Sequence, residues 1–93
     1  MINGSPAEFV DTIYSGQEIF FLFDGKKYMF QGFVENGTCH MEIQQQIPWT
    51  LDDVWSVEGG SMQICMEKFL EAQIFNGKTF REAESEIEWV DEW

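Results

Sequence analysis

Two dipeptides, Asp24-Gly25 and Asn36-Gly37, restrict this chain more than anything else in it. Each offers the positive φ at both central positions that a two-residue type I′ hairpin turn requires, and each is flanked by residues of high strand propensity. The stretch from Gln17 to Gln46 therefore reads as a three-stranded antiparallel meander. Two-residue loops also fix the register, with Phe23 opposite Lys26 and Glu35 opposite Thr38. Alternation then assigns Ile19, Phe21, Phe23, Tyr28, Phe30, Gly32, Val34, Cys39, Met41 and Ile43 to one face, which is the expected core. The other face carries Phe20, Leu22, Lys27, Met29, Gln31, Phe33, His40, Glu42 and Gln44, a mixture that suits neither open solvent nor a sealed interior.

The flanking segments read as helices. Ser5-Pro6-Ala7-Glu8 has the pattern of a capping box with proline at the first helical position, and Gly16 suits a C-terminal cap, so a helix is expected over about 6 to 15. After Ile47-Pro48 ends the third strand, Val54-Trp55-Ser56-Val57 alternates over a length that suits a short fourth strand. Ser61 is the expected N-cap of a second helix, in which Met62, Cys65, Met66, Phe69 and Ala72 form one stripe and which Asn76-Gly77 closes. Thr79-Phe80-Arg81-Glu82 is a further capping box, opening a third helix through about Val90 with Phe80, Ala83, Ile87 and Val90 buried. On that helix Trp89 falls nearly opposite the buried side, and Trp93 lies off to one side. The order α-β-β-β-(β)-α-α predicts one α+β domain over 1–93, a three- to four-stranded antiparallel meander packed with three helices.

With 93 residues, 44% of them hydrophobic and nine of them Phe, the chain has material for one core and no second. Cys39 and Cys65 form no C-x-x-C pair, and two buried free thiols in a reducing compartment are expected. The segment Met1 to Phe9 has neither a basic nor an apolar signal region, and nowhere do some 18 apolar residues run together, so the expected location is the cytoplasm. Seventeen carboxylates against five cations leave a formal charge of −12, which opposes direct contact with nucleic acid or an anionic membrane and favours basic partners.

Catalytic, cofactor-binding and metal-binding residues are all expected to be absent. His40 stands alone as a histidine, and alternation sends the neighbouring Cys39 to the opposite face, which forbids a Cys-His nucleophilic pair in a regular strand. Cys39, His40 and Cys65 are too few for a thiolate or imidazole metal site, and no loop has the calcium-binding pattern. Two features allow interfaces instead, beside plainer readings: the mixed face covered by the first helix, the C-terminal tail or the fourth strand's loop, and the acidic run as a solvated helix face. Phe20, Leu22, Met29 and Phe33, with His40 beside them, gather in register on the mixed face. Glu82, Glu84, Glu86, Glu88, Asp91 and Glu92 form a run without a cation after Arg81, of which Glu88, Asp91 and Glu92 would meet the negative end of a helix dipole. Glu84, Glu88 and Glu92, with Trp89 and Trp93, are therefore candidate contacts on the last helix.

The C-terminal third, Phe69-Leu70-Glu71-Ala72, then Ile74-Phe75-Asn76-Gly77-Lys78-Thr79-Phe80 and Glu86-Ile87-Glu88-Trp89-Val90, resembles a recurring ending of small acidic uncharacterised proteins of Gram-positive bacteria. Asp24-Gly25-Lys26-Lys27-Tyr28 and Phe33-Val34-Glu35-Asn36-Gly37 are similar to the same group. The resemblance implies a bacterial or mobile-element protein and transfers no catalytic residue. The expected function is a non-enzymatic cytoplasmic protein-binding module whose partner is a basic protein or a second copy of the chain. Two alternatives stand beside it: an acidic nucleic-acid mimic that inhibits a basic nucleic-acid-binding or defence enzyme, and a small enzyme.

A surface so strongly of one sign repels itself, and salt screens that repulsion. Moderate NaCl is expected to raise the melting temperature, read by calorimetry; an unchanged or lowered value would contradict a one-signed surface.

Overall fold

The computed structural model describes residues 1–90 of the chain. Strands β1 (Ile19–Phe23), β2 (Lys26–Glu35) and β3 (Thr38–Ile47) are joined by the two expected turns. All four central residues have positive φ: 53° and 75° at Asp24 and Gly25, 51° and 77° at Asn36 and Gly37. The register is the one counted from the sequence, with Phe23 paired to Lys26 and Glu35 to Thr38. It slips only at the far end, where Lys27 pairs with Ile47 but Tyr28 with Gln45, so Gln46 is the extra residue of a bulge. Because the extra residue is in β3 beyond Ile43, and the β1–β2 pairing across Asp24-Gly25 is unbroken, the face assignments between Ile19 and Ile43 are unaffected. Val34 is the exception within the core face: it is exposed.

Helix α1 (Pro6–Tyr14) starts where Ser5 Oγ accepts the Glu8 amide at 3.1 Å. It closes in a Schellman motif: Gly16, at φ 86°, donates to the Ile13 carbonyl, and Gln17 donates to that of Thr12. The expected fourth strand is present as β4 (Trp55–Gly59), antiparallel to β3. Helix α2 (Met62–Glu71) begins at Ser61 as expected but does not reach Asn76-Gly77. Those two residues, at φ 56° and 81°, make a minimal hairpin in which Phe75 and Lys78 exchange backbone hydrogen bonds of 3.1 Å. The reason is Phe75. On a continuing helix it would point roughly 120° away from Phe69, whereas the reversal drops it into the core beside Phe21, Phe23, Phe69 and Phe80.

The third helix is the main correction. The Thr79–Glu82 capping box forms with both hydrogen bonds, yet α3 covers only Phe80–Ala83 and gives way to a 3-10 turn over Glu84–Glu86. Residues expected to continue the helix form a fifth strand, β5 (Glu88–Val90), paired antiparallel to β1. An uninterrupted helix would have placed Glu88 at the negative end of its dipole. Leaving the helix avoids that cost and satisfies the exposed edge of β1. Ile2 then brackets β5 from outside, its amide donating to the Ile87 carbonyl and its carbonyl accepting from Trp89.

The sheet order is β4-β3-β2-β1-β5, every neighbouring pair antiparallel. Phe9 of α1 is fully buried at the centre, its ring centroid 5.8 Å from Phe21, 6.2 Å from Phe30, 5.2 Å from Phe80 and 5.7 Å from Trp89. Gly32 is the notch in which the helices seat: a Cβ there would lie 3.4 Å from the Ile13 carbonyl oxygen and 2.5 Å from Met62 Cε. Cys39 and Cys65 are buried free thiols, and Cys65 Sγ donates to the Cys39 carbonyl at 3.4 Å. Burial, and secondarily the proximity of Cys39, pushes the Cys65 thiol above its usual range.

Trp89 therefore faces the core, half-buried on Phe9, rather than solvent. Trp89→Ala is expected to cost about 2 to 3 kcal/mol in urea unfolding, somewhat under the cost of emptying a fully buried tryptophan site. A tryptophan displayed on a helix would give almost no loss.

Candidate functional site

The buried side chains of α1, α2 and α3 all enter one core, on the face of Phe21, Phe30 and Met41. The opposite face is arranged in rows across the strands. Gln44, Met29, Phe20 and Val90 are successive partners from β3 to β5, as are Ile47, Lys27, Leu22 and Glu88. A third row runs Glu58, His40, Phe33, with the rings of Phe33 and His40 stacked at 4.9 Å and 9°. Phe20, Leu22, Met29 and Phe33 are half-buried, so these side chains are neither sealed nor fully open.

Lys27 is the polar side chain buried deepest on this face, only 4% exposed, with Nζ 5.1 Å above the Phe20 ring. Burial holds its pKa below the usual lysine range. This face is thus partly apolar and partly charged within a single row.

Beyond His40 the face becomes acidic. A depression of about 350 Å³ is lined by His40, Glu42, Asp53, Ser56 and Glu58, among others. Gln31 Nε2 donates to Glu42 Oε1 from the neighbouring strand. Asp53, brought back by the β3–β4 loop, faces the same glutamate. Burial, the negative charges of Glu42 and Asp52, and a hydrogen bond with Glu42 that needs one of the two to carry a proton all push the Asp53 carboxyl upward. Chemically, the depression accepts hydrogen bonds and positive charge. His40 and Ser56 both line it, but among the described residues no hydrogen bond joins them, and the imidazole is committed to its stack on Phe33. Cys39 points into the core, as alternation requires. Among the described residues no group of three or more His, Cys, Asp or Glu is arranged to hold a metal ion, and no helix is long and apolar enough to cross a membrane.

The structure thus brings Phe20, Leu22, Met29, Phe33 and His40 together on one face, and adds Glu88 through β5. It separates Trp89 from them, on the core side. Glu84 sits in the 3-10 turn, with Oε2 3.6 Å from Arg81, so the expected acidic helix face does not exist as a unit. Glu92 and Trp93 lie outside the described residues.

Sequence reasoning missed the loop between β3 and β4. There Trp49 is 63% and Leu51 79% exposed, with Ile47 and Val54 also open to solvent. The available signal was the pair of large apolar residues in a stretch with neither helical nor strand periodicity. The Glu42–Asp53 contact left no signal, since it depends on how the loop returns.

Asp53 also gives a signed pH dependence. A carboxyl raised in the folded state contributes stability that is present below its unfolded pKa and is lost as pH rises through the folded one. Asp53→Asn should therefore raise the melting temperature at pH 7, with the advantage over wild type shrinking as pH falls into the carboxylate range. Thermal scans from pH 7 to 4 check this; a gap that widened toward acid would contradict it.

Comparison of the chain with protein-family models, with curated proteins and with solved structures finds no match in any of the three.

Proposed function

We propose that the chain is a non-enzymatic, cytoplasmic protein-binding module that receives a basic partner protein on the outer face of its sheet. The observation that carries this reading is the placement of Phe20, Leu22, Met29 and Phe33 on the sheet face opposite the one that takes the helices: Phe20 pairs with Met29, Leu22 lies in the next row, and Phe33 follows Met29 along β2 with Gln31 between them, while Glu42, Glu58 and Glu88 lie on the same face. Aromatic and aliphatic anchors inside a polar rim are the usual build of a binding hot spot. A charge of −12 steers cationic surfaces toward it and repels nucleic acid and anionic lipid.

The nucleic-acid-mimic reading draws on the same charge but loses its main element. Glu86 pairs with Lys78 at 3.1 Å and Glu84 lies 3.6 Å from Arg81, while Glu88 belongs to a strand on another surface. Carboxylates divided in this way do not form the regular ladder that a phosphate backbone offers. A small enzyme would have to work from the acidic depression, where no described side chain orients His40 as a base.

Phe20→Glu and Phe33→Glu, each checked for an unchanged circular-dichroism spectrum, test the proposal in affinity purification from the native host with mass spectrometry. Loss of a captured basic protein, with at least roughly a thirtyfold fall in affinity once that protein is isolated, is the expected outcome. Full retention by both variants would overturn it. Sedimentation of the same variants tells a second copy from a foreign partner, since only a dimer would dissociate.

A further inference from the structure

The loop from Ile47 to Val54 displays apolar side chains that the core does not use. Trp49 and Leu51 are 63% and 79% exposed, and both flanking aliphatic residues are open as well. Scattered exposed residues need no explanation, but four within eight positions of one connection do. The loop is braced rather than slack. Gln45 Nε2 donates to the Pro48 carbonyl at 2.7 Å, Thr50 Oγ1 to the Asp52 carbonyl at 3.2 Å, and the Val54 amide to the Ile43 carbonyl at 2.8 Å. A held loop that presents a tryptophan loses little freedom on binding, which is the property of a pre-organised anchor. At its base Asp53 faces Glu42 at the edge of the acidic depression, with Asp52 next to it and Glu58 across it.

We propose that Trp49 and Leu51 are anchors that pack against the apolar stripe of an amphipathic helix on a partner protein, and that lysine or arginine side chains on the rim of that stripe meet Asp52, Asp53 and Glu42. The inference rests on the reading of the chain as a protein-binding module and adds to it a second contact surface and the chemistry of the partner. Charge selects the occupant. A second copy would bring another −12 and the same carboxylates to the contact, and an anionic bilayer would be repelled likewise. A cationic rim instead offsets the repulsion between Glu42 and Asp53 where it occurs.

The test uses the full chain, labelled with 15N, and a defined probe: a synthetic amphipathic helix with leucines at i, i+3, i+4 and i+7 and lysines elsewhere. A control peptide carries glutamate at every lysine position. Expected are amide shifts confined to residues 47–54 and to Glu42 and Glu58, and no binding of the glutamate peptide. Trp49→Ser and Leu51→Ser should each weaken binding at least about tenfold with an unchanged melting temperature, while Asp53→Asn should flatten its salt dependence. Shifts confined to Phe20, Met29 and Phe33 would overturn this inference and leave the sheet-face reading standing. Absence of binding, equal binding of both peptides, a dimer that Trp49→Ser dissociates, or binding to phosphatidylserine vesicles would each overturn it too.

Discussion

Backbone reversal at Asp24-Gly25 and Asn36-Gly37 decides which side of the sheet every side chain between Ile19 and Ile43 occupies. Positive φ at both central positions gives each turn the twist of its strands and leaves no residue to spare. One extra residue at Asp24-Gly25 would have turned β1 over relative to β2, sending Phe21 outward and Phe20 inward, and one at Asn36-Gly37 would have done the same to Met41 and His40 of β3. The core and the candidate binding face are therefore a single decision. The bulge at Gln46 shows the counterpart, an irregularity placed where the chain is about to leave the sheet and where re-aiming it alters only the loop.

The core depends in turn on aromatic rings that belong to many elements at once. Phe9 touches rings from β1, β2, α3 and β5, while Phe69 touches Phe30, Trp55, Phe75 and Phe80. Two side chains of the helical layer thus hold all the elements that frame the sheet except β3, which Met41 and Ile43 tie in. Such shared packing makes opening cooperative, so that losing one element weakens its neighbours. The outer face has no equivalent layer among the described helices, and its aromatic groups Phe20 and Phe33 are half-buried.

Local chemistry was legible where it is self-contained. The turns, the Ser5, Ser61 and Thr79 caps, Gly16 and the alternation of the meander could all be read from neighbours in sequence, and all are where they were expected. Elements decided by distant partners were not. The spacing of Phe80, Ala83 and Ile87 fits a helix, but the open edge of β1 and the amide of Ile2 draw Glu88–Val90 into a strand, and neither is visible within that window. Asn76-Gly77 has the same composition as the hairpin turn at Asn36-Gly37, yet it follows a helical stripe and so reads as a cap. Of the candidate contacts, those on the meander came together because register carries them. Glu84 and Trp89 came apart because they were assigned through a helix that stops early. The braced loop with Trp49 and Leu51 has no period to read.

The buried thiol of Cys65, lying between α2 and the carbonyl of Cys39, gives this molecule an internal clock. A thiol shut away from water and short of thiolate reacts with an alkylating reagent only in the intervals when the helix lifts from the sheet. The labelling rate at that one sulfur thus counts openings of the layer between α2 and β3.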